Sequence, residues 1–535
     1  MSAVSASSPV ATARLEWCAE NIGDREFLRW TANGESTSYA DMYDVASRWA
    51  GLLRSRGVAR GDRVLIMLHN CLDFLGAHFG AQFLGAVPVP VNTELRGETL
   101  RHPLTLFAPA AVVVGADLAE TLAQAASEAT CDFAVLEVGA GASSELDGLL
   151  RAAEPVAPLE LTASDPSLIM STSGTTGPSK GTVWNYGTLN LWANLYRDHL
   201  GRDETDRIYC CTPLFHANSL CTSVMAALNA GGSAVIAERF SVSGFWSDIA
   251  DNGATSTPLI GAMIEMLLRT ETPQMAADRA RSSIRCILGA CPPATHLEVE
   301  RSWGITPVSA YGLTDFGSIT HTSPGDGAPA GTVGKVVSAY EVRLIDADGA
   351  DVPDGVAGEL IARPRDPATI PDGYFRMPEA TLESRKDLWF HTGDLLKRDA
   401  EGWFYFAGRV KDSMRRRGEN VSAYDVETAI LGSGQVAEVA AYPLPSSEGD
   451  DEIAVAVVVN PGTELDRAEL IEAAARELPY FAVPRYVRVV DRLPKTPTQK
   501  VQKAPLRDAG ITTDMWDRVA AGVEVTRNRD RVSAR

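Results

Sequence analysis

Lysine is scarce in this sequence. Of 49 basic residues only 8 are lysine, and none precedes Lys180. The two cations differ at phosphates and in catalysis, so in so arginine-rich a chain each retained lysine calls for a reason. The 8 cysteines are scattered, with one adjacent pair (Cys210, Cys211) and no C-x-x-C. That pattern excludes paired zinc ligands and the disulfide framework of a small secreted domain, and predicts buried free thiols. Long apolar runs are missing as well. AVAVVV at 454–459 is strand-length, far short of the roughly 20 residues of a membrane span, so no stable membrane insertion is expected. The start, MSAVSASSPVATARLEW, lacks a basic segment followed by an apolar stretch, which predicts a cytoplasmic protein without a signal peptide. Excess positive charge is absent: 69 acidic residues against 49 basic give a net charge of −20. The only basic stretches are RRR at 415–417 and the tail TRNRDRVSAR, a balance that argues against nucleic acid as partner.

At 535 residues the chain exceeds one ordinary core, so at least two domains are expected. Residues 37–56 carry apolar positions at helical spacing, and DRVLIML at 62–68 reads as a buried strand. The segments FLGAHFGAQFLGA, AVPVPVN and AAVVVGA continue the alternation. A second alternating stretch covers about 200–310, with RIYCCTPL, SAVIAERF and RCILGA as strands and SLCTSVMAALNAG as a helix. This predicts an α/β fold, a large N-terminal domain of two parallel-rich α/β subdomains. From 331 to 408, D-G and G-x-x-G punctuation among short strands predicts a β-rich subdomain. After the polar link KDSMRRRGEN comes a small α+β pattern. The expected division is 1–410 for acid and ATP, 411–520 for a mobile lid, and 521–535 for a disordered basic tail. A homodimer stays open.

Residues 169–182 read IMSTSGTTGPSKGT. An apolar strand end runs into a loop dense in Ser, Thr and Gly that closes on the first lysine of the chain. Glycines bring backbone N–H groups close to phosphate oxygens, hydroxyls add donors, and lysine supplies charge. Most Gly/Ser/Thr clusters are surface loops; the preceding strand and the lysine favour phosphate binding here. The pattern is not the G-x-x-x-x-G-K-[ST] loop. Further along come FHANS at 215–219, YGLTD at 311–315, HTGD at 391–394, GRVKDSMRRRGENVS at 408–422 and LPKTPTQKVQK at 493–503.

In this order the motifs resemble the adenylate-forming superfamily of acyl-CoA synthetases, amino-acid-adenylating domains and luciferases, from about residue 30 to about 510. PLFHANS, ERFSVSGFW and RRRGENVSAYDVE look most similar to the crotonobetaine/carnitine-CoA ligase group. The resemblance implies ATP, Mg²⁺ and coenzyme A as the small molecules used with a carboxylic acid, which is activated as acyl-AMP and passed to CoA. It assigns Ser171, Thr172, Ser173, Gly174, Thr175, Thr176, Gly177 and Lys180 to the phosphates, with Lys180 also offsetting charge in catalysis. Tyr311 and Gly312 fall at the adenine, and Thr314 donates to the α-phosphate. Asp315, where the family more often has glutamate, helps hold the metal through water. Asp394 and Arg409 fall at the ribose, Lys411 at the hinge, and Gly418 and Asn420 along the pantetheine path. Lys500 is the implied catalytic lysine, although Gln499 stands where the family usually has glycine. Arg415–Arg417 read equally as a solvated face or as a contact to the CoA 3′-phosphate.

By the same resemblance His216 is an aromatic wall of the acyl pocket. Ala217 occupies the place of the aspartate that anchors the ammonium in amino-acid-adenylating relatives, which argues against amino acids. Gly261, Gly289, Ala290 and Ala310 complete the implied acyl lining. Their small size suggests a bulky hydrophobic acid; a carnitine-type cation would need a carboxylate or aromatic cage, with Glu265 and Trp192 as candidates. Loading of a carrier protein and a non-catalytic sensor of acyl nucleotides stay open as rival readings.

Overall fold

The computed structural model describes residues 8–127, 132–139, 144–172, 180–410, 413–416, 419–445, 451–496 and 500–525. The first alternating stretch forms a four-stranded parallel sheet in the order Val87–Pro90, Arg63–Met67, Ala111–Gly115, Ala134–Val138. RVLIM and AVVVG are buried almost throughout, as parallel strands covered on both faces require. The helix expected over 37–56 begins at Tyr39. Ser38 accepts from the Asp41 N–H while the Asp41 carboxylate bonds back, a capping box that ends the short strand Ser36–Ser38 and starts the helix Tyr39–Ser55.

The second stretch builds a six-stranded sheet, ordered Cys286–Leu288, Ser256–Pro258, Arg207–Cys210, Ser233–Ile236, Glu26–Trp30, Ser36–Ser38. All neighbours are parallel except the last pair. The carboxyl ends of its strands lead into 215–219, 259–264 and 289–292, and open α/β sheets place ligands at such ends. The expected single helix after Ser219 is interrupted. It runs Ala217–Ser219, then a π-helical Leu220–Met225, then Ala226–Ala230. Such π segments inside helices recur at functional sites.

The strand before the Ser/Thr/Gly loop does not lead into a helix. Pro166–Thr172 turns back as an antiparallel hairpin with Lys180–Asn185, so Thr172 faces Lys180 across the pair and Gly373–Tyr374 adds a third strand. The loop between them, with Ser173, Gly174, Thr175, Thr176 and Gly177, lies outside the described residues, as do Lys411, Gly418 and Gln499.

The β-rich region is an antiparallel sheet of Tyr340–Ile345, Gly358–Pro364, Trp389–Arg398, Arg385–Lys386 and Phe404–Arg409. Beyond it, Val436–Pro445, Asp451–Val459, Tyr486–Val489 and Trp516–Asp517 form a mixed four-stranded sheet. Val439, Ala441, Ile453, Val455 and Val457 pack on one face of it, and Ala440, Tyr442, Leu444, Ala454 and Ala456 on the other. Neither cluster draws a residue from before Met414. The tail expected to be disordered from 521 is described as far as 525, because Val523 and Val525 pack against this core. The rest of it, 526–535, lies outside the described residues.

Between the large sheets and the β-rich region sits a hairpin, Ala310–Leu313 with Gly317–His321. Gly312 is in register with Ser318, and a Cβ there would meet the Gly317 carbonyl oxygen at 2.4 Å. The partner is backbone and cannot swing away. Gly312→Ala should therefore spread the hairpin and destabilise the protein by about 1–3 kcal/mol, read as a lowered urea midpoint with unchanged m.

Candidate active site

Asp315 follows the Ala310–Leu313 strand by two residues. Its Oδ1 accepts from the Thr182 hydroxyl at 3.1 Å and its Oδ2 from the Tyr374 phenol at 2.7 Å. Tyr374 pairs with Thr182 across the strands, so both donors come from one edge of the Pro166–Asn185 hairpin. Trp184, two residues on, donates its indole N–H to the Thr314 carbonyl at 2.9 Å. Lys180, Thr182 and Trp184 alternate along the strand, which puts them on one face of it. Lys180 Nζ lies 4.6 Å from the centre of the Tyr374 ring. Burial raises the Asp315 pKa, and the two hydrogen bonds, Lys180 and Lys500 work against that rise. On Ser171, at the end of the first hairpin strand, the hydroxyl is buried without a hydrogen-bond partner.

Asp394, only 5% exposed, is the second carboxylate. It accepts from the Tyr311 phenol at 2.8 Å and meets Arg409 Nε at 3.3 Å. The T-G-D turn is held by Glu359, which accepts from the Gly393 N–H at 3.0 Å, and by the Thr392 hydroxyl on the Leu360 carbonyl. Asp394 and Arg409 are register partners on adjacent strands, which explains why motifs fifteen residues apart in the chain share a site.

Lys500 enters from the far end of the sequence. A bridge between Lys495 and Val501 and two bonds between Thr496 and Lys500 shape its turn. The residue is exposed. Burial and then Arg409 lower its pKa, while Asp394 and Asp315 raise it. His216 lies in the same field: burial, then Lys500, pushes it down to about 4. It is neutral at ordinary pH and packs on Phe215 with ring centres 4.6 Å apart.

The structure thus brings His216, Tyr311, Thr314, Asp315, Lys180, Asp394, Arg409 and Lys500 together. It does not treat the arginine run as one unit. Arg416 is half-buried in an ion pair with Glu452 at 2.7 Å, so it is not a freely solvated charge. Asn420 lies on the strand Glu419–Ser422, paired with Arg415.

At two of the small acyl-lining positions neighbouring chain, not open volume, accounts for the missing side chain. A Cβ on Gly261 would stand 2.9 Å from the Ala290 carbonyl oxygen, and one on Gly289 would stand 2.7 Å from Ile264 Cδ1. These glycines let 259–264 pack against 288–291 and carry no information about acyl size. Ala217 is buried, Ala310 half-buried and Ala290 exposed. Thr182, Trp184 and Tyr374 were missed. The period-two spacing of K-G-T-V-W could have found the first two; nothing in D-G-Y-F marks the third.

No helix among the described residues is long and apolar enough to cross a membrane. Every described cysteine is free. Residues 15–374 match the family described as AMP-binding enzyme, and 425–500 match the AMP-binding enzyme C-terminal domain. The sulfoacetate–CoA ligase of Cupriavidus necator is 31% identical over 90% of this chain and 94% of its own length. A crotonobetaine/carnitine–CoA ligase of Salmonella arizonae is 30% identical over 88% and 93%. Among solved structures, ATP-bound MatB from Rhodopseudomonas palustris superposes with a TM-score of 0.85 at 26% identity, covering 94% of this chain and 99% of that one.

Tyr374→Phe leaves the Asp315 carboxylate with one donor instead of two. A hydrogen bond to a charged group is worth about 1.5–3 kcal/mol, and the loss should appear in urea unfolding at neutral pH. The folded Asp315 pKa, already raised, rises further in the variant. The deficit should therefore shrink as pH falls through the carboxylate range and Asp315 protonates in both proteins.

Proposed function

The chain belongs to the AMP-binding enzyme family, and from that premise we propose that its charged cluster carries out both halves of an acyl-CoA ligase reaction. In the first half a carboxylate attacks the α-phosphorus of ATP and releases pyrophosphate. In the second the CoA thiol displaces AMP. A free carboxylate has no leaving group a thiol could expel; AMP provides one. No protein nucleophile is needed, so the protein's task is positioning and charge compensation.

The observation that carries this reading is the Lys500 ammonium, which shares one electrostatic neighbourhood with Asp315, Asp394, Arg409 and His216. As the substrate carboxylate approaches the α-phosphate, like charges meet. Lys500 offsets that repulsion on the acyl side, and Lys180 offsets it on the leaving pyrophosphate. Neutral His216 adds no second cation beside Lys500 and forms an aromatic wall with Phe215. Asp394 and Arg409 hold the ribose, and Tyr311 the base.

Mg²⁺ suits Asp315. One carboxylate with both oxygens already fixed by Thr182 and Tyr374 retains lone pairs for a water-bridged contact. Hard Mg²⁺ takes few protein ligands when phosphate oxygens and water complete its shell. Bound there, the ion neutralises phosphate charge.

The thiol must later reach the acyl carbon that Lys500 guards. We therefore assign the unit beyond residue 410 as a lid that turns about Lys411 between the two steps. ATP and CoA as substrates place the reaction in the cytoplasm. The names of the relatives point to different acids, so the acid must be read from this chain's own residues.

Lys500→Ala should abolish acid-dependent exchange of pyrophosphate into ATP while thioester formation from supplied acyl-AMP persists; equal loss of both would overturn the two-position lid. Lys500 must be charged to act, and its free-enzyme pKa is lowered from the ordinary 10.5. The kcat/KM profile for adenylation, which reports the free enzyme, should fall on an alkaline limb below that value. Lys500→Arg should move the limb upward.

A further inference from the structure

Behind Ala310 the wall of the acyl side is polar. Ala310 and His321 are register partners in the hairpin, so their side chains leave the same face. His321 Nε2 is 2.8 Å from Ser318 Oγ, which is 3.1 Å from the Tyr196 phenol. The Tyr196 and His199 rings each lie 4.8 Å from the His321 ring. Both come from the helix Tyr186–His199. Three residues beyond it, Arg202 donates Nη1 to the Thr222 carbonyl, in the π-helical segment that follows His216 and Ala217. The Thr222 hydroxyl in turn donates to the Asn218 carbonyl. One polar group of contacts thus lies behind Ala310, and a second runs from Arg202 through Thr222 to Asn218, beside Ala217.

Each group holds one side chain with unmet hydrogen-bonding atoms. Arg202 is 5% exposed, and its Nε and Nη2 have no hydrogen-bond partner; His321, 3% exposed, has none at Nδ1. Arg202 forms no ion pair among the described residues. Asp206, whose field reaches it, is engaged by Arg285 at 2.6 Å and by the Thr255 hydroxyl. Burial pushes Arg202 down to about 10, which leaves it charged at neutral pH, and pushes His321 to about 3, which leaves it neutral. A buried guanidinium without an anion is strongly unfavourable, and buried donors are normally met. Packing could have been served by an apolar side chain. The unmet donors call for an anionic acceptor that the chain itself does not supply.

We propose that Arg202 receives a second acidic group at the far end of the acyl substrate, so that the acid is a dianion. One carboxylate is activated beside Lys500, and a terminal carboxylate or sulfonate pairs with the Arg202 guanidinium, with His321 Nδ1–H as an additional donor. This rests on the ligase reading above and replaces the expectation of a purely hydrophobic acid. The planar fork of arginine suits a two-oxygen anion, and truncating a buried member of such a pair is costly because the other charge is left unpaired.

The test is pyrophosphate exchange with matched acids: butyrate and succinate through heptanoate and pimelate, and propionate with 3-sulfopropionate. In the wild-type protein at least one diacid or sulfonate should exceed its monoacid partner by 100-fold or more in kcat/KM. Arg202→Met, close in volume and free of charge, should lose that preference chiefly through KM and raise kcat/KM on the monoacid. A melting curve checks that the variant is folded, and the wild-type preference stands without it. Monoacids used as well as or better than every dianionic partner would overturn the proposal and leave the ligase reaction in place. No exchange with any acid would overturn both.

Discussion

One cation delivered from the end of the chain to two carboxylates in its middle is the constraint on which the rest of the structure depends. Lys500 stands among Asp315, Asp394 and Arg409, and its value lies in a geometry that persists when the substrates' charges arrive. A carboxylate crowded by protein and left without donors tends to protonate. Thr182 and Tyr374 supply donors to Asp315, and Tyr311 and Arg409 supply them to Asp394. The hairpins and antiparallel strands around them bring those donors into register. Tyr374 pairs with Thr182, and Arg409 pairs with Asp394. The architecture between residues 166 and 409 can be understood as the support for two anions.

The scarcity of lysine acquires a more specific meaning in three dimensions. Lys335 lies 4.3 Å from the centre of the Trp403 ring, Lys495 pairs with Glu438 at 2.6 Å, and Lys503 pairs with Glu427 at 2.8 Å. These three sit in or beside motifs for structural reasons. Lys180 and Lys500 are different, since the charge of each acts on Asp315. Each of these five lysines thus has a specific neighbour, and only Lys180 and Lys500 among them act on Asp315.

The acyl side shows how residue type misleads when packing is hidden. Gly261 and Gly289 read as spare volume, yet each is small because neighbouring chain occupies the space. Arg202, which no motif marks, is buried with two nitrogens unmet. The π-helical turn after Ser219 presents the Thr222 carbonyl to that guanidinium, and such a backbone irregularity leaves no mark in a one-dimensional apolar pattern.

From sequence alone came the α/β class, the β-rich stretch after 331 and the order of motifs that marks the family. Each is local: strand burial follows runs such as AVVVG, the helix at Tyr39 follows its Ser38–Asp41 cap, and the Ser/Thr/Gly loop advertises its donors in consecutive residues. Only the tertiary structure decided that Tyr374 steadies Asp315, that Arg416 pairs with Glu452, and that Arg202 is buried without an anion. These are contacts between segments 36 to 59 residues apart in the chain, or unmet bonds that exist only once the chain has closed around them. Their energies depend on distance and exclusion of water, and neither quantity is written in the order of the residues.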